Sequence, residues 1–225
     1  MNNTNAKAWV SLALLAAVEG LLLFLCAGTA DYWQAWVYLA IFFGSSAGLT
    51  LYLMARDPAL LRRRMSGGPA AEKRTAQKII MLCISIAFIA LLAVPGLDRR
   101  FGWSAVPLAA VIAGDLLMVA GMAVILRVYR ENTFASATIE VAPGQQVIST
   151  GPYAIVRHPM YAGGLLYLAG TPLSLGSYWG LLAPAAMLPF LLWRLFDEER
   201  LLSRNLPGYT AYRVKVRWRL LPGVF

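Results

Sequence analysis

Long apolar segments recur along this chain of 225 residues, and they limit the folds that it can adopt. Several reach 18 residues or more, the length that a helix needs to span a hydrocarbon core about 30 Å thick. Charged residues make up 14% of the chain, whereas soluble domains carry about 25%. A soluble fold of this composition would expose a large apolar surface to water. The sequence therefore predicts a single all-α domain, a polytopic membrane protein over residues 1–225.

Breaks between the apolar segments predict about six helices. The first four form a scaffold within residues 1–126, with helices over residues 9–26, 79–94 and 105–126 and one that ends near residue 54. We expect Asp31 to Trp36 to form an interfacial connection, and Pro95-Gly96 to end the third helix. From residue 161 the chain is apolar for only about 15 residues, roughly 22 Å of helix. With residues 179–196 this segment predicts a short hairpin, and residues 197–225 a polar tail.

Basic residues are distributed unevenly over the predicted connections. If the N-terminus is cytoplasmic, only Arg99 and Arg100 of the 20 Lys and Arg residues fall on the outer side. The positive-inside rule then predicts that both termini and the C-terminal tail are cytoplasmic, together with the long connections 55–78 and 127–157. The same rule accounts for the net charge of +9 without a nucleic-acid partner.

The segment 151–164 contains the only histidine of the chain, and it leads directly into an apolar segment. Pro159 restricts His158 to extended geometry, which directs the imidazole ring. Gly163 and Gly164 leave the next helix without side chains near its start, so a ligand or another helix can approach its backbone. One interpretation is a snorkelling Arg157 beside an interfacial histidine, and the other is a binding site for a ligand.

Two further motifs lie in the tail. Asp197, Glu198 and Glu199 are expected where the last apolar helix leaves the membrane, either as a solvated acidic collar or as a ligand site. Tyr209 and Tyr212 share one face of a helix, which would also suit an interfacial anchor. Glu19 and Asp115 fall within membrane helices, where we favour structural hydrogen bonds. One histidine and two membrane-embedded cysteines make a metal site improbable, so no metal is expected.

Together the motifs of residues 127–225 resemble the membrane methyltransferases of the isoprenylcysteine carboxyl methyltransferase family, which includes phospholipid methyltransferases. The resemblance rests on Asn132-x-Phe134, Ser149-Thr-Gly-Pro-Tyr153, Val156-Arg-His-Pro-Met-Tyr-x-Gly163, Glu198-Glu199, Tyr209-x-x-Tyr212-x-x-x-Val216 and Pro222. It implies S-adenosylmethionine as the methyl donor, bound at the cytoplasmic membrane face by residues 127–225. The residues implied in cofactor binding are Tyr153, Arg157, His158, Pro159, Tyr161, Gly163, Glu198, Glu199, Tyr209 and Tyr212.

Methyl transfer from a sulfonium mainly requires positioning and desolvation, and no covalent nucleophile. Arg157 or Arg194 could orient a carboxylate acceptor, and His158 or Glu198 could take a proton from an amine. The expected acceptor is lipophilic and reaches the site through the membrane lipids. A prenylated thiol or carboxylate and a lipid amine both remain open. Two alternative functions are an NADPH-dependent membrane reductase of the steroid 5α-reductase type and a non-enzymatic scaffold or transporter.

Overall fold

The computed structural model describes residues 3–225, and its regular elements within that range are all helical. Eight α-helices follow one another: α1 Asn3–Ala27, α2 Trp33–Arg56, α3 Pro58–Met65, α4 Thr75–Phe101, α5 Leu108–Glu131, α6 Pro159–Ser174, α7 Leu182–Asn205 and α8 Tyr209–Lys215. Four of them (α1, α2, α4 and α5) and the segment Trp179–Asn205 are long and apolar enough to cross a membrane. This confirms the all-α, polytopic prediction. The count exceeds six because the polar connection 57–74 and the tail each contain a short helix.

The predicted end of a helix at Pro95-Gly96 is wrong. Helix α4 continues through Pro95 and ends at Phe101. The residue that follows it, Gly102, has a φ of 65°, which lies in the left-handed region. Gly96 has a packing function instead, since a Cβ atom there would lie 2.6 Å from the Cβ of Cys26 on α1. Because α4 packs closely against α1 here, the helix continues through Pro95 although proline lacks a backbone N–H donor. Asp98 consequently lies on the last helical turn rather than in a loop.

Other boundaries also differ from the prediction. Trp33 and Trp36 belong to α2, so the connection before it contains only residues 28–32. Helix α5 continues five residues beyond the predicted end at 126, which moves Arg127 and Arg130 from the connection onto the helix. Helix α3 ends at Met65, directly before the helix-breaking sequence Ser66-Gly-Gly-Pro69.

Helices α5 and α6 pack closely through glycines. A Cβ atom at Gly121 of α5 would lie 2.5 Å from the carbonyl oxygen of Gly163, and one at Gly170 of α6 would lie 2.6 Å from that of Gly114. Small residues allow two helix backbones to approach in this way in membranes. Helices α6 and α7 follow one another through a short connection, as a hairpin requires. However, α6 packs mainly on α5, and α7 on α4.

The connections gather at two opposite ends of the helix bundle. At one end Asp98 accepts hydrogen bonds from the hydroxyls of Ser104 and Ser177. At the other end Arg74 pairs with Asp197, and the main chain of residues 157–158 pairs with that of residues 218–219. All segments that the sequence assigns to the cytoplasm therefore lie at one end.

Glu19 and Asp115, the acidic residues that the sequence places within membrane helices, form hydrogen bonds to side chains of neighbouring helices. The hydroxyl of Tyr38 donates to Glu19 at 3.2 Å and lies 3.1 Å from that of Tyr167. The hydroxyl of Ser174 donates to Asp115. These contacts agree with the structural role that the sequence favours.

Candidate functional site

A cavity of about 400 Å³ opens at the end of the bundle where the basic segments meet. Its polar wall is formed by the segments that follow α5, by the start of α6, and by residues of α7 and α8. Its apolar wall is formed by residues of α4, α5, α6 and α7. The polar wall includes Asn132, Tyr153, Arg157, His158, Tyr161, Arg194, Glu198, Tyr209 and Tyr212. The apolar wall includes Met81, Ile84, Ile125, Leu165, Leu168 and Leu191. A single space thus combines hydrogen-bonding groups with a surface suited to hydrocarbon.

The three consecutive acids of α7 point in three directions. Because α7 continues to Asn205, the expectation that these acids mark a helix end is wrong. Successive side chains on a helix are about 100° apart, so each carboxylate meets a different partner. Asp197 accepts from Arg74 and Gln77 at 2.6 Å each, and Glu199 accepts from Arg157. Glu198 lines the cavity and accepts from the hydroxyl of Tyr161 at 2.8 Å.

Arg157 joins the start of α6 to the C-terminal tail. Its Nε atom donates to Oε1 of Glu199 at 2.6 Å, and Nη1 donates to the carbonyl oxygens of Val216 and Arg217 at 2.9 and 2.7 Å. The backbone N–H groups of Arg157 and His158 donate to the carbonyl oxygens of Trp218 and Arg219 at 2.9 Å each. The guanidinium is buried, and its hydrogen bonds are made to Glu199 and to the carbonyl oxygens of the tail.

His158 is the residue that precedes α6, and its imidazole is buried in the cavity wall. Pro159 occupies the first helical position, where no backbone donor is needed. The imidazole does not cap the helix. Its Nε2 atom lies 3.2 Å from Oε1 of Glu199, and the ring meets that of Tyr161 edge-on at 5.6 Å. His158 has φ −124° and ψ 61°, which is not the extended geometry expected before Pro159, and its ring nevertheless lies in the cavity wall.

Three tyrosines line the cavity beside the tail. Asn132 donates through Nδ2 to the hydroxyl of Tyr153 at 2.9 Å, and Tyr212 donates to the carbonyl oxygen of Tyr153 at 2.8 Å. Burial raises the pKa of Tyr153 to about 12 and those of Tyr209 and Tyr212 above the usual range. All three are therefore neutral near pH 7 and can donate. The hydroxyl of Tyr209 is buried with no hydrogen-bond partner among residues 3–225.

Residues 132–148 form a roof over the cavity. Three arginines donate to carbonyl oxygens of this segment: Arg63 to Thr133, Arg64 to Ser136 at 2.9 Å, and Arg194 to Ala137 at 3.0 Å. The guanidinium of Arg194 also donates to Gln77 at 2.6 Å and pairs with Glu72 at 2.7 Å. Arg194 therefore lies between α4 and the roof and is largely engaged by the protein.

The structure gathers most of the residues that the sequence singles out, and it adds others. Tyr153, Arg157, His158, Tyr161, Arg194, Glu198, Tyr209 and Tyr212 line the cavity. Gly163 lies instead against α5, and Glu199 lies behind Arg157 and His158. Gly164 faces open space within the lining. The sequence did not indicate Arg64, which binds the roof, or Glu72 and Gln77, which bind Arg194, because no motif in the first 126 residues points to them.

Residues 109–207 match the family model of phospholipid methyltransferases. The match includes α6, most of α5 and all of α7, and it confirms the resemblance to the membrane methyltransferases that the motifs indicate. No curated protein matches the chain significantly. Residues 109–207 are thus similar to phospholipid methyltransferases, and this similarity suggests methyl transfer to a lipid-like substrate.

Proposed function

We propose that this chain, which is similar to phospholipid methyltransferases over residues 109–207, transfers a methyl group from S-adenosylmethionine to a lipophilic acceptor. The observation that carries the proposal is the composition of the cavity. Its polar wall suits a charged, hydroxyl-rich cofactor, and its apolar wall suits a hydrocarbon chain. Both walls meet in one space, where two reactants can be held together.

The polar wall fits S-adenosylmethionine in size and in chemistry. A volume of about 400 Å³ lies within the range of small-molecule sites. The buried hydroxyl of Tyr209 has no partner within residues 3–225, and a ligand would satisfy it. Glu198 has one oxygen bonded to Tyr161, and its other oxygen is available to a ribose hydroxyl or an ammonium group. Tyr153, Tyr161 and Tyr212 would complete this side of the site.

The cofactor supplies an activated methyl group on a sulfonium, so the protein has mainly to position the reactants. Arg157 and Glu199 hold the segment that begins α6 and keep His158 in the cavity wall. Pro159 and Gly163 shape this segment and its packing, and Arg194 holds the roof. His158 or Glu198 would take a proton if the acceptor is an amine.

The acceptor would enter from the bilayer beside the apolar wall. Helix α4 packs on α1 and α7, whereas α5 packs on α6 and α2. Met81 and Ile84 of α4 and Ile125 of α5 all line the cavity, and hydrocarbon would reach it between these helices. A prenylated thiol or carboxylate and a lipid amine are both acceptable by this route. The basic residues at this end support a cytoplasmic site.

Isothermal titration calorimetry of the detergent-solubilised protein tests the proposal. We expect S-adenosylmethionine and its demethylated product to bind to the parent protein. Glu198→Gln should weaken binding by about 10- to 150-fold, the value of one charge-assisted hydrogen bond. The matched control, Asp31→Asn, removes an exposed carboxylate at the opposite end of the bundle. Binding of NADPH in place of S-adenosylmethionine, or equal affinities for the parent and Glu198→Gln, would reject this assignment.

A further inference from the structure

Arg219 lies beyond the segment matched by the family model, and it reaches the buried carboxylate behind the cavity. Its Nε atom donates to Oε2 of Glu199 at 3.2 Å. The guanidinium carbon lies 5.3 Å from the ring centre of Phe196 and 5.1 Å from that of Phe225. The two rings meet edge-on, and a guanidinium in contact with both is attracted to each of them. Arg219 is therefore a fixed neighbour of Glu199.

The two oxygens of Glu199 have different partners. Oε1 accepts from Nε of Arg157 at 2.6 Å and lies 3.2 Å from Nε2 of His158, whereas Oε2 faces Arg219. Arginine and a carboxylate tend to pair through two parallel hydrogen bonds, and such a pair with Arg157 would engage both oxygens. Because Arg219 occupies Oε2, Oε1 stays shared between Arg157 and His158.

This arrangement determines where the proton of the imidazole lies. A carboxylate between two guanidinium groups is ionised and can only accept hydrogen bonds. The Nε2 atom of His158 therefore carries the hydrogen of this contact, and in the neutral form of the ring Nδ1 is then the acceptor. The other charged or titratable groups near the ring are Tyr161, at its edge, and Glu198, which is bonded to Tyr161.

We propose that Arg219 is a positioning residue that acts through Glu199. It turns the carboxylate so that one oxygen reaches His158, and it thereby holds the imidazole in one orientation and one tautomer. The effect on methyl transfer rests on the proposed function of the cavity, whereas the effect on His158 does not. The C-terminal tail is in this way a part of the site.

The single histidine makes a direct test possible. Protein labelled with ¹⁵N-histidine has one set of imidazole resonances, and its nitrogen shifts report the tautomer. We expect the Nε2–H form in the parent and a mixture of both forms in Arg219→Gln, which keeps a planar group beside the rings without the charge. Arg219→Lys should restore part of the parental signal. Lys215→Gln, which removes an exposed cation of α8, should leave the resonances unchanged.

Binding and turnover provide the second measurement. Arg219→Gln should lower turnover about tenfold, the lower end of the value of one charge-assisted hydrogen bond, while Lys215→Gln matches the parent. If Arg219→Gln keeps the parental tautomer, the proposal is wrong. If the tautomers mix but the parent does not bind S-adenosylmethionine, the positioning role stands and the proposed function fails. If Arg219→Gln does not fold, Arg219→Lys must show a detectable share of the Nδ1–H form, and a purely parental tautomer there overturns the proposal.

Discussion

Arg157 illustrates how one residue can belong to a site and also hold the fold together. Its buried guanidinium pairs with Glu199 and donates to two carbonyl oxygens of the tail. Replacing one member of a buried ion pair leaves the other in a poorly solvated place. We expect Arg157→Ala to lower the free energy of unfolding by about 3 kcal/mol. Denaturant unfolding in detergent measures this, with Arg200→Ala, an exposed neighbour of Glu199, as the control that should unfold like the parent.

Gly163 and Gly164 are adjacent, yet their substitution should have different consequences. A Cβ atom at Gly163 would lie 2.9 Å from the carbonyl oxygen of Gly121, whereas one at Gly164 would have no neighbour within 4 Å. Gly163→Ala should therefore destabilise the protein by about 1–3 kcal/mol, as overpacking does. Gly164→Ala should keep the stability and reduce ligand affinity, because it adds a methyl group to the cavity wall. Similar melting temperatures for the two variants would contradict this assignment.

At the scale of whole elements, helix α3 binds the roof over the cavity, residues 132–148. Arg63 and Arg64 donate to carbonyl oxygens of residues 133 and 136, while Arg62 is exposed. We expect the double variant Arg63→Ala/Arg64→Ala to increase amide hydrogen exchange within residues 132–148, because local opening becomes easier. Arg62→Ala is the matched control and should exchange like the parent. Unchanged exchange in the double variant would show that α3 does not hold the roof.

At the scale of the whole molecule, the distribution of charge predicts the orientation in the membrane. Arg99 and Arg100 lie at one end of the bundle, and nearly all other basic residues lie at or near the other end. We expect a cysteine at position 100 to be labelled in intact cells by an impermeant maleimide, and one at position 204 only after permeabilisation. The background would lack Cys26 and Cys83. The reverse pattern would overturn the topology and the cytoplasmic location of the site.

The two walls of the cavity lead to a prediction about the acceptor. An apolar tail contributes about 0.8 kcal/mol for each buried CH₂ group, so kcat/KM should rise steeply with chain length in a homologous acceptor series. The apolar wall ends at Leu168 and Leu191, which pack on the cluster around Leu91 and Met187. Turnover over short- and long-chain analogues measures the effect. A flat response, or a preference for a small polar thiol, would reject entry from the bilayer.

Local patterns in the sequence were sufficient for the fold class and for many of the cavity residues. Apolar segments long enough to cross a bilayer predict membrane helices because backbone groups in hydrocarbon must be paired within the helix. The motifs from Asn132 to Tyr212, together with the family resemblance that they carry, indicate many of the residues that line the polar wall. Helix ends were less accurate, as Pro95 shows, because packing against a neighbouring helix outweighs a local break.

Only the tertiary structure decided what each polar side chain does. Glu198 and Glu199 are adjacent, but the turn of α7 places one in the cavity and the other behind it. Arg194 holds the roof and is bound by Gln77 of α4 and by Glu72 just before that helix, both more than one hundred positions away in the chain. Arg219 reaches Glu199 from the tail in the same manner. Such roles depend on which helices are neighbours, and interactions between residues distant in sequence leave no periodicity or spacing from which they can be predicted.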